Sequence, residues 1–143
     1  MSSIRVALDV DQSPTAVWEE LRHIDRHVNW MSDAVRIDFL SDQREGVGTS
    51  FDCVTKVGPL VVVDRMTITS WIENSTMGVE HRGLVRGRGS FTLSSRGAKT
   101  LITWHEELFF PWWMGGTLGA LVASPILAAL WRKNLRTFAT TLD

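Results

Sequence analysis

The chain of 143 residues has the length of one ordinary domain, and its 44% hydrophobic and 22% charged residues are typical of folded globular proteins. A formal net charge of −1 offers no broad attraction for phosphate backbones, which argues against a nucleic-acid partner. The single cysteine, Cys53, excludes an internal disulfide and a multi-cysteine metal site, and a lone thiol favours a reducing, cytoplasmic setting.

Apolar residues that alternate with polar ones predict a first strand over residues 4–10. Ser13 followed by Pro14 is typical of a helix start, and helical spacing continues to about residue 23. A second short helical turn is predicted over residues 24–31. Strand patterns separated by turn residues then follow around residues 35–39, 51–55, 60–71, 77–82, 85–93 and 100–109. The predicted order is one strand, two short helices, six strands and a long C-terminal helix.

No internal repeat or linker divides the chain, so we expect a single domain over residues 1–143. A run of antiparallel strands needs a cover for its apolar face, and the long apolar C-terminal segment is available for this purpose. We therefore expect an α+β fold in which the C-terminal helix lies on the sheet.

Several strings together resemble one known superfamily. They are VALDVDQSPTAVWEEL near the start, the tryptophan within HVNWMSD, the stretch GRGSFTLSSRGAKTLITWHEEL, and the closing helix. The chain is similar over its whole length to the START-like polyketide cyclase/dehydrase and lipid-transport superfamily (SRPBCC). The resemblance implies a helix-grip fold, in which a curved antiparallel sheet wraps around the C-terminal helix. It also implies an apolar cavity between them for a lipid, a polyketide or another hydrophobic small molecule, without a cofactor.

The uncharged run over residues 108–131 has two interpretations. By length alone it could cross a bilayer. Pro125 and the small residues before it favour instead a helix buried between a sheet and a ligand cavity, which would also be apolar on all sides. The first residues of the chain lack the continuous apolar stretch of a secretory signal, which agrees with a cytoplasmic location.

Strand parity brings three titratable side chains to one predicted face. Side chains two residues apart point the same way, so Asp64 is grouped with Met66 and Glu106 with Trp104, and His81 lies at an equivalent position. A carboxylate and an imidazole in a low-dielectric pocket can act as general acid and base, which suits polyketide cyclisation or dehydration. A β-bulge would reverse the parity and turn these side chains to solvent, so a structural interpretation stands beside the catalytic one.

The ligand site is expected to combine apolar side chains that supply burial with His81 or Glu106 as an orienting hydrogen-bonding group. The residues predicted to line it are Trp30, Met66, His81, Trp104, Glu106, Met114, Leu118, Leu121 and Val122.

Two further patterns are given structural interpretations. His23 and His27 have the spacing of a helical metal pair, but no third ligand accompanies them, so we expect surface histidines and no metal site. Gly87 and Gly89 lack the lysine and the helix of a phosphate-binding loop, and we expect them to relieve a strongly bent strand.

Three functions remain open at this point. The first is binding of a hydrophobic small molecule, and the second is a polyketide cyclase or dehydratase that uses His81 with Glu106 or Asp64. The third is a protein-interaction or regulatory module that uses the exposed part of the last helix or an arginine cluster. Trp112 and Trp113 at the start of that helix also suit a transient membrane contact. The sequence indicates neither the oligomeric state nor the identity of the ligand.

Overall fold

A computed structural model describes residues 2–142. The strands are β1 (Ser2–Val10), β2 (Ala34–Phe39), β3 (Ser50–Val57), β4 (Leu60–Ile72), β5 (Thr76–Arg82), β6 (Arg86–Arg96) and β7 (Lys99–Phe109). The α-helices are α1 (Pro14–Leu21) and α2 (Gly116–Thr141), and 3-10 helices cover Ile24–Asn29 and Trp112–Met114. The predicted order of strands and helices is confirmed.

The seven strands form one antiparallel sheet in the order β1-β7-β6-β5-β4-β3-β2. Strands β2 to β7 pair with their neighbours in the chain, and β1 closes the sheet against β7. Helix α2 returns across the sheet and packs against β1 and β7. The predicted α+β helix-grip architecture is confirmed.

Helix α1 begins where its sequence signal predicts. The Ser13 hydroxyl accepts a hydrogen bond from the Ala16 amide at 3.2 Å, and Pro14 occupies the first position, where its missing N–H costs no helical hydrogen bond. The buried face of α1 carries Val17, Trp18 and Leu21 into the core.

The C-terminal half of α2 is fixed to the rest of the fold by Asn134, which is 1% exposed. Its amide nitrogen donates to Asp33 Oδ1 at 2.8 Å, and its carbonyl oxygen accepts from both the amide and the hydroxyl of Ser32. A buried polar side chain held by three hydrogen bonds keeps one geometry, so these bonds set the position of α2 relative to the loop before β2.

The N-terminal half of α2 follows a sharp turn. Gly115 has φ +91°, a left-handed conformation that favours glycine, and Gly119 packs so closely on the Met114 carbonyl that a Cβ atom would overlap it. These small residues therefore serve the turn itself.

Within residues 2–142, no helix combines the length and the apolar character needed to cross a membrane.

The interpretation of His27 as a surface residue is wrong, because its side chain lies in the core. It is 5% exposed, packs 5.1 Å from the Trp30 ring, and donates from Nε2 to the Leu21 carbonyl at 2.8 Å. Burial lowers the pKa of His27 to about 4, because the charged imidazolium would lose its hydration there. His27 is therefore neutral in the folded protein at neutral pH.

We expect His27 to make the protein sensitive to acid. The unfolded chain takes up a proton near pH 6.5 and the folded chain only near pH 4, so the contribution of His27 to stability is full above 6.5 and is lost as pH falls through this window. Urea unfolding at a series of pH values should show a loss of up to about 3 kcal/mol that is missing in His27→Gln. Equal pH dependence of the two proteins would contradict this prediction.

Candidate functional site

A cavity of about 280 Å³ lies between the sheet and α2. This volume is close to the lower end of typical small-molecule sites, roughly 300–1,000 Å³. Most of its wall is apolar and comes from the inner faces of β3, β4, β5 and β7 and from α2; examples are Cys53, Ile68, Met77, Val79, Leu108, Ala123, Leu127 and Trp131. The space therefore suits a compact, largely hydrophobic molecule.

His81 occupies the polar part of this wall between two carboxylates. Its Nδ1 lies 2.8 Å from Asp64 Oδ2, and its Nε2 lies 2.7 Å from Glu106 Oε2. Burial alone would lower the pKa of His81, but the charge of Glu106 and the hydrogen bonds to both carboxylates outweigh it and raise the pKa to about 10. The imidazole is consequently protonated at neutral pH and donates from both nitrogens.

A glycine on β6 gives the Glu106 side chain room to meet His81. The two residues stand on β5 and β7, which are separated by β6, and their β6 neighbours in the register are Gly87 and Gly89 respectively. No side chain therefore stands between them on the inner face. A Cβ atom on Gly89 would overlap the Glu106 carboxylate. Gly89, expected only to relieve a bent strand, thus provides the clearance for this ion pair, whereas a Cβ atom on Gly87 would overlap the Glu107 carbonyl instead.

Parity also holds on the other side of His81. The only register shift between β4 and β5 in the described residues falls between Ile68 and Ser70, beyond the pairs Met66–His81 and Ile68–Val79. Asp64 consequently faces the cavity at the position diagonal to His81. The structure brings Asp64, His81 and Glu106 into one cluster.

Trp104 supplies the second hydrogen bond that the Glu106 carboxylate accepts. Its indole Nε1 donates to Glu106 Oε1 at 3.0 Å, so both carboxylate oxygens of Glu106 accept a hydrogen bond. The same indole stacks on Trp131 of α2, with ring centroids 4.9 Å apart and planes inclined by 15°. Trp104 therefore links the charged cluster on the sheet to the helix that forms the opposite wall.

One carboxylate oxygen of the cluster accepts no hydrogen bond from the described residues. Asp64 Oδ1 is buried and has no hydrogen-bond partner among the described residues. The indole nitrogens of Trp18 and Trp30 share this condition, but neither residue lines the cavity. Because both nitrogens of His81 are engaged, the imidazolium is suited to positioning the Asp64 carboxylate rather than to accepting a proton.

Other titratable groups have less to offer. Burial raises the pKa of Cys53 to about 11, so its thiol is not ionised at neutral pH. Within residues 2–142, no group of three or more His, Cys, Asp or Glu side chains is arranged to hold a metal ion.

Five of the predicted ligand-binding residues line the cavity: Met66, His81, Trp104, Glu106 and Met114. Trp30 does not, and the expectation for it is corrected by its environment. It is 2% exposed and lies among Phe91, Trp104 and Phe138, with ring centroids 5.8, 6.1 and 4.9 Å away. Trp30 is therefore a core residue, and Trp131 is the second tryptophan at the cavity.

Leu118, Leu121 and Val122 are also misplaced by the sequence prediction. They point away from the cavity and are 71%, 68% and 63% exposed. The residues of α2 that do line the cavity are Ala123, Leu127 and Trp131, four residues apart along one face. Hydrophobicity gives no signal here because this part of α2 is apolar on all sides; the four-residue spacing that ends at Trp131 was the available clue.

The outer surface has two notable features. The cationic residues Arg82 and Arg88 are exposed and paired with Glu80 and Glu107. An apolar surface runs along the turn before α2 and its first half, where Trp112 is 86% exposed. The other exposed apolar residues of this surface include Phe109, Trp113, Leu118, Leu121, Val122 and Ile126.

Comparisons with solved structures recognise this architecture. The protein TTHA0849 from Thermus thermophilus superposes with a TM-score of 0.80 at 14% identity, over 98% of this chain and 96% of that one. The chain therefore shares its fold with this protein. The di-domain aromatase/cyclase StfQ from the steffimycin biosynthetic pathway matches with a TM-score of 0.79 at 12% identity, over 96% of this chain and 49% of that one.

The Zhui aromatase/cyclase from Streptomyces sp. R1128 matches with a TM-score of 0.68 at 13% identity, over 98% of this chain and 90% of that one. No family model matches the sequence, and no curated protein matches it. At these identities the structural likeness establishes the fold alone, and the function has to be inferred from the residues of the site.

The charge of Glu106 should control the titration of His81. Glu106→Gln keeps the shape of the side chain but removes its charge, so we expect the pKa of His81 to fall well below 10, as measured by NMR titration of the imidazole. Glu107→Gln is the matched control, because Glu107 is the next residue of β7 and pairs with Arg88 outside the cavity. A His81 pKa that is the same in all three proteins would contradict the ion-pair geometry.

Proposed function

We propose that this protein binds a compact hydrophobic small molecule in the cavity between the sheet and α2. The observation that carries the proposal is the cavity itself, about 280 Å³ with an apolar wall and one polar cluster formed by Asp64, His81 and Glu106. Ligand sites commonly have this composition, since apolar walls supply affinity and a few polar groups fix orientation. The role of such a binding protein would be to transport or sequester the ligand.

Energetics and the structural comparisons both support this proposal. Each Å² of apolar ligand surface removed from water contributes about 25 cal/mol, so a ligand that fills the cavity gains its affinity mainly from the aliphatic and aromatic wall. StfQ and Zhui are aromatase/cyclases by name, which supports a hydrophobic ligand of polyketide type. The residues proposed to contact it are Met66, Trp104 and Met114 together with Ala123, Leu127 and Trp131.

A pair of substitutions on α2 tests the site. Ala123→Phe places a ring in the cavity, whereas Ala129→Phe makes the same change at an exposed position of the same helix. We expect naphthalene, an uncharged apolar probe, to raise the melting temperature of the parent protein and of Ala129→Phe, and to have no effect on Ala123→Phe. Native mass spectrometry and solvent extraction of the purified protein would identify a ligand acquired during expression. Equal stabilisation of both variants would place the probe elsewhere.

The second candidate is a polyketide cyclase or dehydratase, and the place of the Asp64 carboxylate residue in the cavity wall favours it. In this mechanism the Asp64 carboxylate removes a proton next to a substrate carbonyl, while His81 and Glu106 hold the carboxylate in place. This assignment differs from a histidine base, because both His81 nitrogens already donate to carboxylates.

The enzymatic candidate is tested with a linear poly-β-ketone thioester analogue and mass spectrometric detection of cyclised or dehydrated product. If Asp64 is the base, Asp64→Asn should lower the rate by at least about 100-fold, while Glu107→Gln leaves it unchanged. Turnover that survives removal of the Asp64, His81 and Glu106 side chains would dispose of this candidate.

The exposed apolar surface at the start of α2 favours a third role, contact with a membrane or another protein. Trp112 and Trp113 would make a transient membrane contact, as amphipathic rings do at lipid interfaces. If the protein is purified without a ligand and gains no stability from naphthalene, this third role would be favoured over the other two.

The lone, buried Cys53 suits a cytoplasmic setting for each of the three roles.

A further inference from the structure

The uncharged segments of the chain meet at one end of the sheet. Strands β3, β5 and β7 run in one direction and β4 and β6 in the other, so the β3–β4 turn, the β5–β6 turn and the end of β7 lie at the same end. No charged residue occurs over residues 57–63, 83–85 or 108–131, which form these connections and the first part of α2. The turns at the opposite end contain the charged residues Asp42, Arg44, Glu45 and Glu73.

The cavity opens at the uncharged end. Most of the described residues that line it are buried or half-buried, and the exposed ones are Leu60, Val63 and Leu84 at the β3–β4 and β5–β6 turns. Helix α2 extends past the same end, because Ser124 shares a hydrogen bond with Ser2 at the start of β1. The part of α2 before Ser124 therefore projects beyond this edge strand.

Exposed apolar side chains surround this opening. A connected apolar surface of this kind is uncommon in a protein that only faces water, and it marks a site of contact. We refer to these side chains as the apolar rim; its members are Leu60, Val61, Leu84, Phe109, Trp112 and Trp113.

Positive charge lies directly behind the apolar rim. Along the strands that lead away from it, the first charged residue is Lys56 on β3, Arg82 on β5 and Arg86 on β6, and all three are exposed. On the adjoining strand positions, Glu80 and Glu107 are each paired with an arginine. Lys56 and Arg86 take part in no ion pair within residues 2–142.

This arrangement of apolar and cationic side chains favours a membrane as the partner. A bilayer with anionic lipids presents negative phosphates at its surface and hydrocarbon directly below them. Apolar side chains at the tip can enter the interface, tryptophan rings are suited to that depth, and long cationic side chains behind them reach the phosphates. Helix α2 contains no aspartate or glutamate that such a surface would repel.

We propose that the apolar rim docks onto an anionic membrane surface, with Lys56, Arg82 and Arg86 contacting lipid phosphates, so that the cavity opens toward the bilayer. This inference rests on the third role proposed above and names its partner. It also gives the cavity a direct route to molecules that dissolve in lipid rather than in water.

Sedimentation of the full chain with vesicles measures this contact. Vesicles of phosphatidylcholine alone and vesicles that include about 30% phosphatidylglycerol differ in surface charge. We expect the protein to sediment with the anionic vesicles and to bind the neutral ones at least about tenfold more weakly. Added salt should weaken the binding to anionic vesicles, because it screens the attraction between the cations and the phosphates.

Two strands offer matched pairs of variants. On β4, Val61 in the rim is 56% exposed and Ile72 at the opposite end is 57% exposed. Val61→Glu should weaken binding to anionic vesicles at least about tenfold, because it replaces an apolar contact with a negative charge, and Ile72→Glu should leave it unchanged. On β6, Arg86→Gln should weaken it roughly fivefold, and Arg96→Gln at the other end should not change it. Melting temperatures show whether each variant is folded.

Three results would overturn the inference. They are failure of the parent protein to bind anionic vesicles, equal binding to both kinds of vesicle, and equal losses in both members of a matched pair. A dimer that Val61→Glu dissociates in sedimentation velocity, without vesicle binding, would assign the rim to a second copy of the chain. That outcome would overturn membrane docking and leave the third role as a protein contact.

The naphthalene melting experiment without vesicles tests the cavity separately. Stabilisation by naphthalene without vesicle binding would remove the docking inference and keep the small-molecule function. Vesicle binding without stabilisation by naphthalene would support the docking inference and remove the small-molecule function.

Discussion

The buried imidazolium of His81, held between the carboxylates of Asp64 and Glu106, is the constraint on which the site depends. The His81 and Glu106 side chains are buried, and buried charges are tolerated only where each has close partners, because the loss of one partner leaves an uncompensated charge. The cluster spans four neighbouring strands of the sheet, from β4 to β7. A shift of one residue in any of these pairings would turn one member to the outer face, so the cluster and the sheet register require each other.

The same cluster gives the cavity its polarity. On the sheet side, Trp104 donates a hydrogen bond to Glu106 and stacks on Trp131. The facing wall, which comes from α2, is apolar. The cavity therefore offers apolar contacts over most of its wall and polar groups on one side. This arrangement serves a binding protein and an enzyme equally well, which is why the fold shared with aromatase/cyclases leaves the choice to chemical tests.

The treatment of other buried polar groups makes Asp64 Oδ1 unusual. Asn134 and His27 lie in the core with their hydrogen bonds supplied by the chain. Of the side-chain atoms left unpaired in the described interior, two are indole nitrogens within the core and the third is Asp64 Oδ1. An unpaired acceptor is costly, and here that cost falls on the carboxylate that holds the His81 imidazolium.

The sequence by itself determined the element order and the shared face of Asp64, His81 and Glu106, because strand parity is a local property that alternates with every residue. Tertiary structure decided which atoms meet. The Glu106 side chain has room over Gly89 only because β6 lies between β5 and β7, and no local sequence pattern encodes this arrangement. It also decided which face of α2 lines the cavity, since apolar residues surround that part of the helix and only packing against the sheet distinguishes Ala123 from the exposed Leu121.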